Sequence, residues 1–220
     1  MAEARRYSLL VFDWDGTLVD SAATIVHAIQ HACADLSLPI PSDADARYII
    51  GLGLSDALAH VAPTLPVADY PKLSARYRAH YMTRDAPIPL FAGIPQLLTA
   101  LEARGHTLCV ATGKSRRGLD EALQEAGIAR HFRATRCADE GFSKPHPGML
   151  LHLLDATGTA PAAALMIGDT THDLMLAANA GVDAVGVTYG AHPHDALLSE
   201  PHRAIVHSVD ELGSWLAANA

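Results

Sequence analysis

Lysine is almost missing from this chain of 220 residues: Lys72, Lys114 and Lys144 stand against thirteen arginines. Aromatic residues make up only 5% and charged residues 18%, and the net charge is -8. Binding along a nucleic-acid backbone needs clustered Lys and Arg, so that class of partner is excluded, while the few cations present can still hold one small anion. Cysteine is scarce too: Cys33, Cys109 and Cys137 are odd in number and show no CxxC spacing. They predict buried, reduced thiols and a cytoplasmic compartment. No apolar run approaches the ~18 residues of a membrane span. The segment from Met1 to Tyr7 carries Glu3, Arg5 and Arg6, and the apolar run after it is too short for a signal peptide.

Half of the residues are apolar, which is a globular composition with enough chain for one large domain or a core plus a smaller one. Short apolar runs recur at Ser8 to Phe12, Thr107 to Ala111, Arg133 to Cys137, Ala163 to Ile167 and Ala184 to Val187, with a short sixth at Ile205-Val206. Between them, Gly93 to Arg104, Arg116 to Gly127, His146 to Ala156 and Thr171 to Ala180 carry apolar stripes at helical spacing. Alternation of this kind predicts an α/β fold: a Rossmann-like parallel sheet with helices on both faces.

One region breaks the alternation. From Ser21 to about Ile88 the pattern is helical throughout, over Ala22 to Leu36, Asp43 to Ile50, Ser55 to Val61 and Asp69 to Met82, with Pro39, Pro41, Pro63, Pro66 and Pro71 as punctuation. We expect a catalytic core of residues 1–20 and 88–220 and a small all-helical cap of residues 21–87. The cap leaves and returns through 19–21 and 87–91 and sits over the carboxyl end of the first strand.

The chemistry gathers at the strand ends, where ligands bind in an open α/β sheet. After the first strand come Asp13 and Asp15, in Asp13-Trp14-Asp15-Gly16-Thr17. After the second come Thr112, Gly113 and Lys114, and shortly after the third comes Lys144. After the fourth comes Gly168-Asp169-Thr170-Thr171-His172-Asp173. Each alone has a plain reading: a turn, a helix cap, a solvated lysine, an acid favoured by a helix dipole. Together, each at a strand end, they describe a cation site beside an anion site. Acids against a buried strand need positive compensation, which a divalent cation supplies.

These segments resemble the haloacid dehalogenase-like hydrolase superfamily in its phosphatase branch, nearest its phosphoglycolate phosphatase-like subgroup, over nearly the whole chain. Asp13 to Thr17 looks like the first motif, Thr112 the second, Lys144 the third, and Gly168-Asp169 with Asp173 the fourth; the helical insert looks like the family's cap. The resemblance implies a phosphoric monoester hydrolase acting on a small phosphorylated metabolite. Asp13 would be the nucleophile, forming an aspartyl-phosphate. Mg2+ would sit between Asp13, the backbone carbonyl of Asp15 and Asp169, with Asp173 orienting the metal site rather than binding directly. The Asp15 side chain would be the acid and base, Lys144 would tether Asp13 and a phosphoryl oxygen, and Thr112 with the Gly113 amide would bind other phosphoryl oxygens.

Asp15 favours a leaving alcohol over a halide or a phosphonate. A sugar-phosphate mutase keeps both acids but usually adds a cap arginine; the loop Gly51-Leu52-Gly53-Leu54-Ser55 has none, although Arg47 lies near. Gly51 would let that loop approach the substrate closely. A receiver-like phospho-aspartate signalling protein is half this length and lacks the insert, and a silent binding protein on the same scaffold remains a third alternative. Phosphoglycolate is the subgroup's favoured substrate, with nucleotides, sugar phosphates and pyrophosphate open. The cap cations Arg47, Lys72, Arg76, Arg78 and Arg84 have no assigned place, and the sequence assigns no oligomeric state. His192-Pro193-His194 is expected in a solvated loop, and Lys114, Arg116 and Arg117 form a solvated cationic rim.

Overall fold

The computed structural model describes residues 6–83 and 87–220. Glu3, Arg5 and Arg84 lie outside the described residues. Among the described residues six strands form one parallel sheet in the order β3-β2-β1-β4-β5-β6. The strands are β1 (Leu9–Phe12), β2 (Thr107–Thr112), β3 (Ala134–Cys137), β4 (Ala164–Gly168), β5 (Asp183–Val187) and β6 (Ala204–Val206). β1 pairs on one side with β2, Val11 opposite Cys109, and on the other with β4, Val11 opposite Met166.

The alternation along each strand feeds two cores. Leu10, Phe12, Leu108, Val110, Leu165 and Ile167 face one side. There they meet α5 (Ile94–Ala103), α6 (Arg116–Ala126) and α10 (Val209–Asn219) through Leu98, Leu119 and Leu212. Leu9, Val11, Cys109, Ala111 and Met166 face the other side, against α7 (Gly148–Thr157) and α8 (Thr171–Ala180). Every residue of β1 is buried, as expected for a central strand covered on both faces.

The insert is wholly helical: α1 (Ala22–Asp35), α2 (Asp43–Tyr48), α3 (Leu54–Val61) and α4 (Tyr70–Met82). Its helices share their own apolar cluster, centred on Ile25, Ile29, Leu58 and Leu73. Ser42 caps α2, its hydroxyl accepting from the Asp45 amide. The two chain segments that join the insert to the sheet lie side by side. The Asp20 amide donates to the Pro89 carbonyl at 2.9 Å and the Phe91 amide to the Leu18 carbonyl at 3.0 Å.

Two helices go beyond what the sequence pattern predicts. α9 (His194–Leu198) follows β5, and α10 closes the chain with Leu212 and Leu216 buried. α10 has a readable start: Ser208 accepts from the Glu211 amide, and Glu211 reaches back to the His207 amide. No helix of the described residues is long and apolar enough to cross a membrane.

Candidate active site

The strand order reverses between β1 and β4, and a parallel sheet opens a crevice at that point, beyond its carboxyl ends. Asp13 follows β1 and Asp169 follows β4, so the two acids stand on either side of the switch point. The turn after β1 is tight: the Gly16 amide donates to the Val19 carbonyl, and Gly16 has a φ of 78°. A Cβ at Gly16 would collide with the Asp169 carboxylate. Glycine is thus required there twice over, by its backbone and by the acid packed against it.

Asp13, Asp169 and Asp173 offer carboxylate oxygens that all lie within 4.8 Å of one another, and all three are fully buried. Lys144, reaching in from the loop after β3, is 2.7 Å from Asp13 Oδ1 and 2.6 Å from Asp173 Oδ1. Thr170 donates to Asp173 Oδ2 through both its amide and its hydroxyl, which is the start of α8 capped at N3. Asp169 Oδ1 accepts from Thr17 Oγ1 at 2.7 Å, and Asp169 Oδ2 from the Ala191 amide at 2.7 Å. Asp13 Oδ1 has only the Lys144 ammonium beside it and Oδ2 has no hydrogen-bond partner, although both are shielded from solvent.

One buried ammonium among three buried carboxylates leaves two negative charges uncompensated. The acids register this. Burial, with Asp173 and Asp169 nearby, raises Asp13 well above its ordinary range despite Lys144. Burial and the charge of Asp173 raise Asp169 to about 7, against the amide and hydroxyl donors that hold it. Hard oxygen donors, a bare oxygen on Asp13 and a deficit of two charges all fit one divalent cation of the Mg2+ kind. Asp173 has both oxygens engaged by Lys144 and Thr170, and Asp169 both by Thr17 and the Ala191 amide, so Asp13 Oδ2 is the carboxylate oxygen of the three acids with no partner.

The Asp15 carboxylate stands outside this cluster. Its Oδ1 accepts from Ser21 Oγ at 2.7 Å and lies 3.1 Å from Lys114 Nζ. Thr112 is fully buried at the end of β2, its hydroxyl accepting from the Lys114 amide at 3.2 Å. The insert's loop covers the crevice. A Cβ at Gly51, where φ is 89°, would lie 3.2 Å from Thr170 Oγ1 and 3.8 Å from Asp13 Oδ2. A Cβ at Gly113 would collide with the Leu52 carbonyl. The Gly53 amide donates to Ser143 Oγ at 2.6 Å, next to Lys144. All eight residues expected at the site from sequence therefore meet in one place.

Three expectations need correction. Lys114 is not part of a solvated rim: its side chain is 13% exposed and paired to Asp15. Arg116 is held between Glu140, Asp120 and Thr135, while Arg117 stays exposed in a pair with Glu121. His192 is not solvated either. It is buried, with Nδ1 accepting from the Thr171 amide at 3.1 Å and Nε2 donating to the Tyr48 carbonyl at 3.1 Å. His172 Nε2 donates to the same carbonyl at 2.7 Å, and the Tyr48 ring stacks on His192. Burial first, then His172, lowers His192 to about 4, consistent with the neutral ring these bonds require. The two histidines thus clasp the end of α2, from which the Gly51 loop leaves. Of the expected cap cations, Lys72 forms a surface pair with Asp69, Arg76 and Arg78 are exposed, and Arg47 is half-buried.

Residues 10–187 match the family model described as haloacid dehalogenase-like hydrolase. The chain belongs to that family and is an enzyme of its phosphatase branch. Among its relatives is a protein named "Probable phosphatase IndB" from Dickeya dadantii, 38% identical over 93% of this chain and 91% of its own. A phosphoglycolate phosphatase of Agrobacterium fabrum is 35% identical over 83% of this chain and 81% of its own, and a 5'-nucleotidase of Pseudomonas aeruginosa is 36% identical over 88% of each. A solved structure from Haemophilus somnus, described as a predicted phosphoglycolate phosphatase, is 26% identical. It superposes with a TM-score of 0.84 over 99% of this chain and 100% of that one.

Proposed function

We propose that this protein is a Mg2+-dependent phosphatase of a small phosphorylated metabolite, working through an aspartyl-phosphate on Asp13. The observation that carries this is Asp13 itself, buried with Oδ1 against Lys144 and an Oδ2 that no hydrogen bond occupies. Asp13, the backbone carbonyl of Asp15 and Asp169 hold the metal, and Asp173 keeps Lys144 and the start of α8 in place. Mg2+ supplies charge neutralisation to the nucleophile and the phosphoryl group. Asp13 attacks phosphorus and the ester oxygen leaves with a proton from Asp15. Asp15 then takes a proton from the water that hydrolyses the aspartyl-phosphate, releasing phosphate and restoring Asp13. Lys144 binds a phosphoryl oxygen as a point charge, and Thr112 with the Gly113 amide binds the others.

Residues 21–87 act as a cap on a core of residues 1–20 and 88–220. With Asp13, Lys144 and Asp169 all shielded, substrate enters only when the loop at Gly51 lifts. The paired segments around Asp20 and Pro89 serve as the hinge, and closure excludes water from the reaction. A mutase reading is disfavoured because the loop over Gly113 presents backbone carbonyls of Gly51 and Leu52 rather than a cation. Phosphoglycolate and nucleoside monophosphates, the substrates named for two relatives, are the first to try. Three free, buried cysteines favour the cytoplasm.

The test is phosphate release from a panel of small phosphoesters, with Mg2+ and with chelator. Release confined to one or two compounds and lost in chelator supports the reading. Release that is indifferent to chelator, or survives Asp13→Asn, refutes it.

A further inference from the structure

Four of the thirteen histidines fall in the insert, and three of these line one cavity that has no part in the roles above. The cavity, of about 500 Å3, is lined from α1 by Thr24, His27, Ala28 and His31, and from the end of α4 by His80 and Thr83. His27 and His31 stand four residues apart on α1, so they leave the same face one turn from each other. His80 comes from the last turn of α4. Its ring centroid lies 5.4 Å from that of His31. On its other side His80 Nε2 is 2.9 Å from Asp35 Oδ2, at the end of α1.

Asp35 sets the state of His80. A carboxylate accepts, so Nε2 carries a proton, and in the neutral ring Nδ1 keeps its lone pair. Metal-ligating histidines are held in this way, because a carboxylate on the far N–H orients the ring and makes it a better donor. Two histidines at i and i+4 on one helix face add a pair of ligands of known metal-binding spacing. The three rings do not close on one point as the buried acids do. His27 and His31 are exposed and His80 is half-buried, so side-chain rotation is enough to draw them onto an ion. Imidazole nitrogen suits Zn2+, Ni2+ and Cu2+, whereas Mg2+ takes oxygen ligands. The cavity and the acid cluster therefore call for different cations.

We propose that His27, His31 and His80 form a second metal site, for a divalent transition ion of the Zn2+ kind, with Asp35 as the carboxylate that orients His80. The ion joins α1 to α4. It sits one residue from Tyr81, whose hydroxyl accepts from Lys114 Nζ at 3.0 Å, and so lies close to a contact between the insert and the core. The site stands independently of the phosphatase reading.

The experiment counts the Zn2+ bound by the full chain in equilibrium dialysis at about pH 7.5, where free imidazole is neutral, with excess Mg2+ present to fill the acid cluster. Wild type is expected to hold one Zn2+ more per chain than His31→Ala or His80→Ala. Asp169→Asn, which weakens the acid cluster, is expected to keep that ion. Asp35→Asn should weaken its binding ~10- to 100-fold, a loss that a plain ion pair between His80 and Asp35 does not predict. Zn2+ should also slow hydrogen exchange in α1 and α4 of wild type but not of His31→Ala. Should His80→Ala not fold, His27→Gln replaces an exposed side chain and is expected to weaken binding in the same way. A wild type that takes up no Zn2+, equal uptake in wild type and the histidine variants, an ion that Asp169→Asn loses, or an affinity unchanged in Asp35→Asn overturns the site.

Discussion

Replacing Asp169 by asparagine is expected to make the metal-free protein more stable while abolishing its response to Mg2+. The buried Asp169 carboxyl sits at about 7 instead of its usual 3.8. A carboxyl raised in the folded state is one whose charge the fold resists. Its contribution is intact below about pH 4, is lost as pH rises toward 7, and stays lost above. The gap of roughly three pKa units corresponds to about 4 kcal/mol of destabilisation at pH 8. Asparagine removes that charge. It accepts from only one of the two donors, Thr17 Oγ1 and the Ala191 amide, and the mismatch costs ~1–2 kcal/mol. A net gain of about 2 kcal/mol raises Tm by ~4–8 °C for a protein of this size. The assay is thermal unfolding at pH 8 in chelator, then with increasing Mg2+. Wild type should climb with Mg2+, by ~2.7 kcal/mol at a hundred times Kd, and Asp169→Asn should stay flat. A variant less stable than wild type in chelator, or one that gains as much from Mg2+, would refute the reasoning.

Apparent Mg2+ affinity, read by the same melts, should strengthen between about pH 6 and 8 as Asp169 releases its proton; a flat profile contradicts the site's electrostatics. Lys144→Met strips the one buried cation from three acids and should cost ~3–5 kcal/mol in metal-free protein at pH 8, measured by urea unfolding. Gly51→Ala forces a side chain to a φ of 89° and should cost ~1–2 kcal/mol and lower kcat/KM by disturbing the loop over Asp13. His192→Gln should be less stable than wild type at neutral pH. The difference should shrink as pH falls from 6.5 toward 4, because the buried His192 resists protonation; Asp169 is common to both proteins and cancels.

The sheet was legible because its strands obey simple periodicity: Leu9 to Phe12 and Ala164 to Ile167 are continuous apolar runs, as central strands must be, and each ends on the acid that matters. Asp13, Thr112, Lys144 and Asp169 could be read from order alone, since a parallel sheet sends every strand end to the same edge. The insert's helices were equally plain, with boundaries within two residues. What sequence could not show was burial reached across the chain. Lys114 looks like a helix-leading surface cation until α4 brings Tyr81 over it, 33 residues away in sequence and in contact in space. His192 sits among Pro193 and His194 in a polar stretch, and only the approach of Tyr48 turns it into a buried donor. α10 had a signal, Ser208 with Glu211 at the spacing of a capping box, which went unread because β6 before it is short.

The most direct test is to find the phosphoryl group on the protein. Wild type incubated with Mg2+ and its best phosphoester, quenched in acid and digested, should yield the peptide containing Asp13 with the added mass of one phosphoryl group. Asp13→Asn, treated alike, should yield none. A phosphorylated residue elsewhere, or turnover in wild type with no phosphorylated peptide under rapid quench, would contradict Asp13 as the nucleophile.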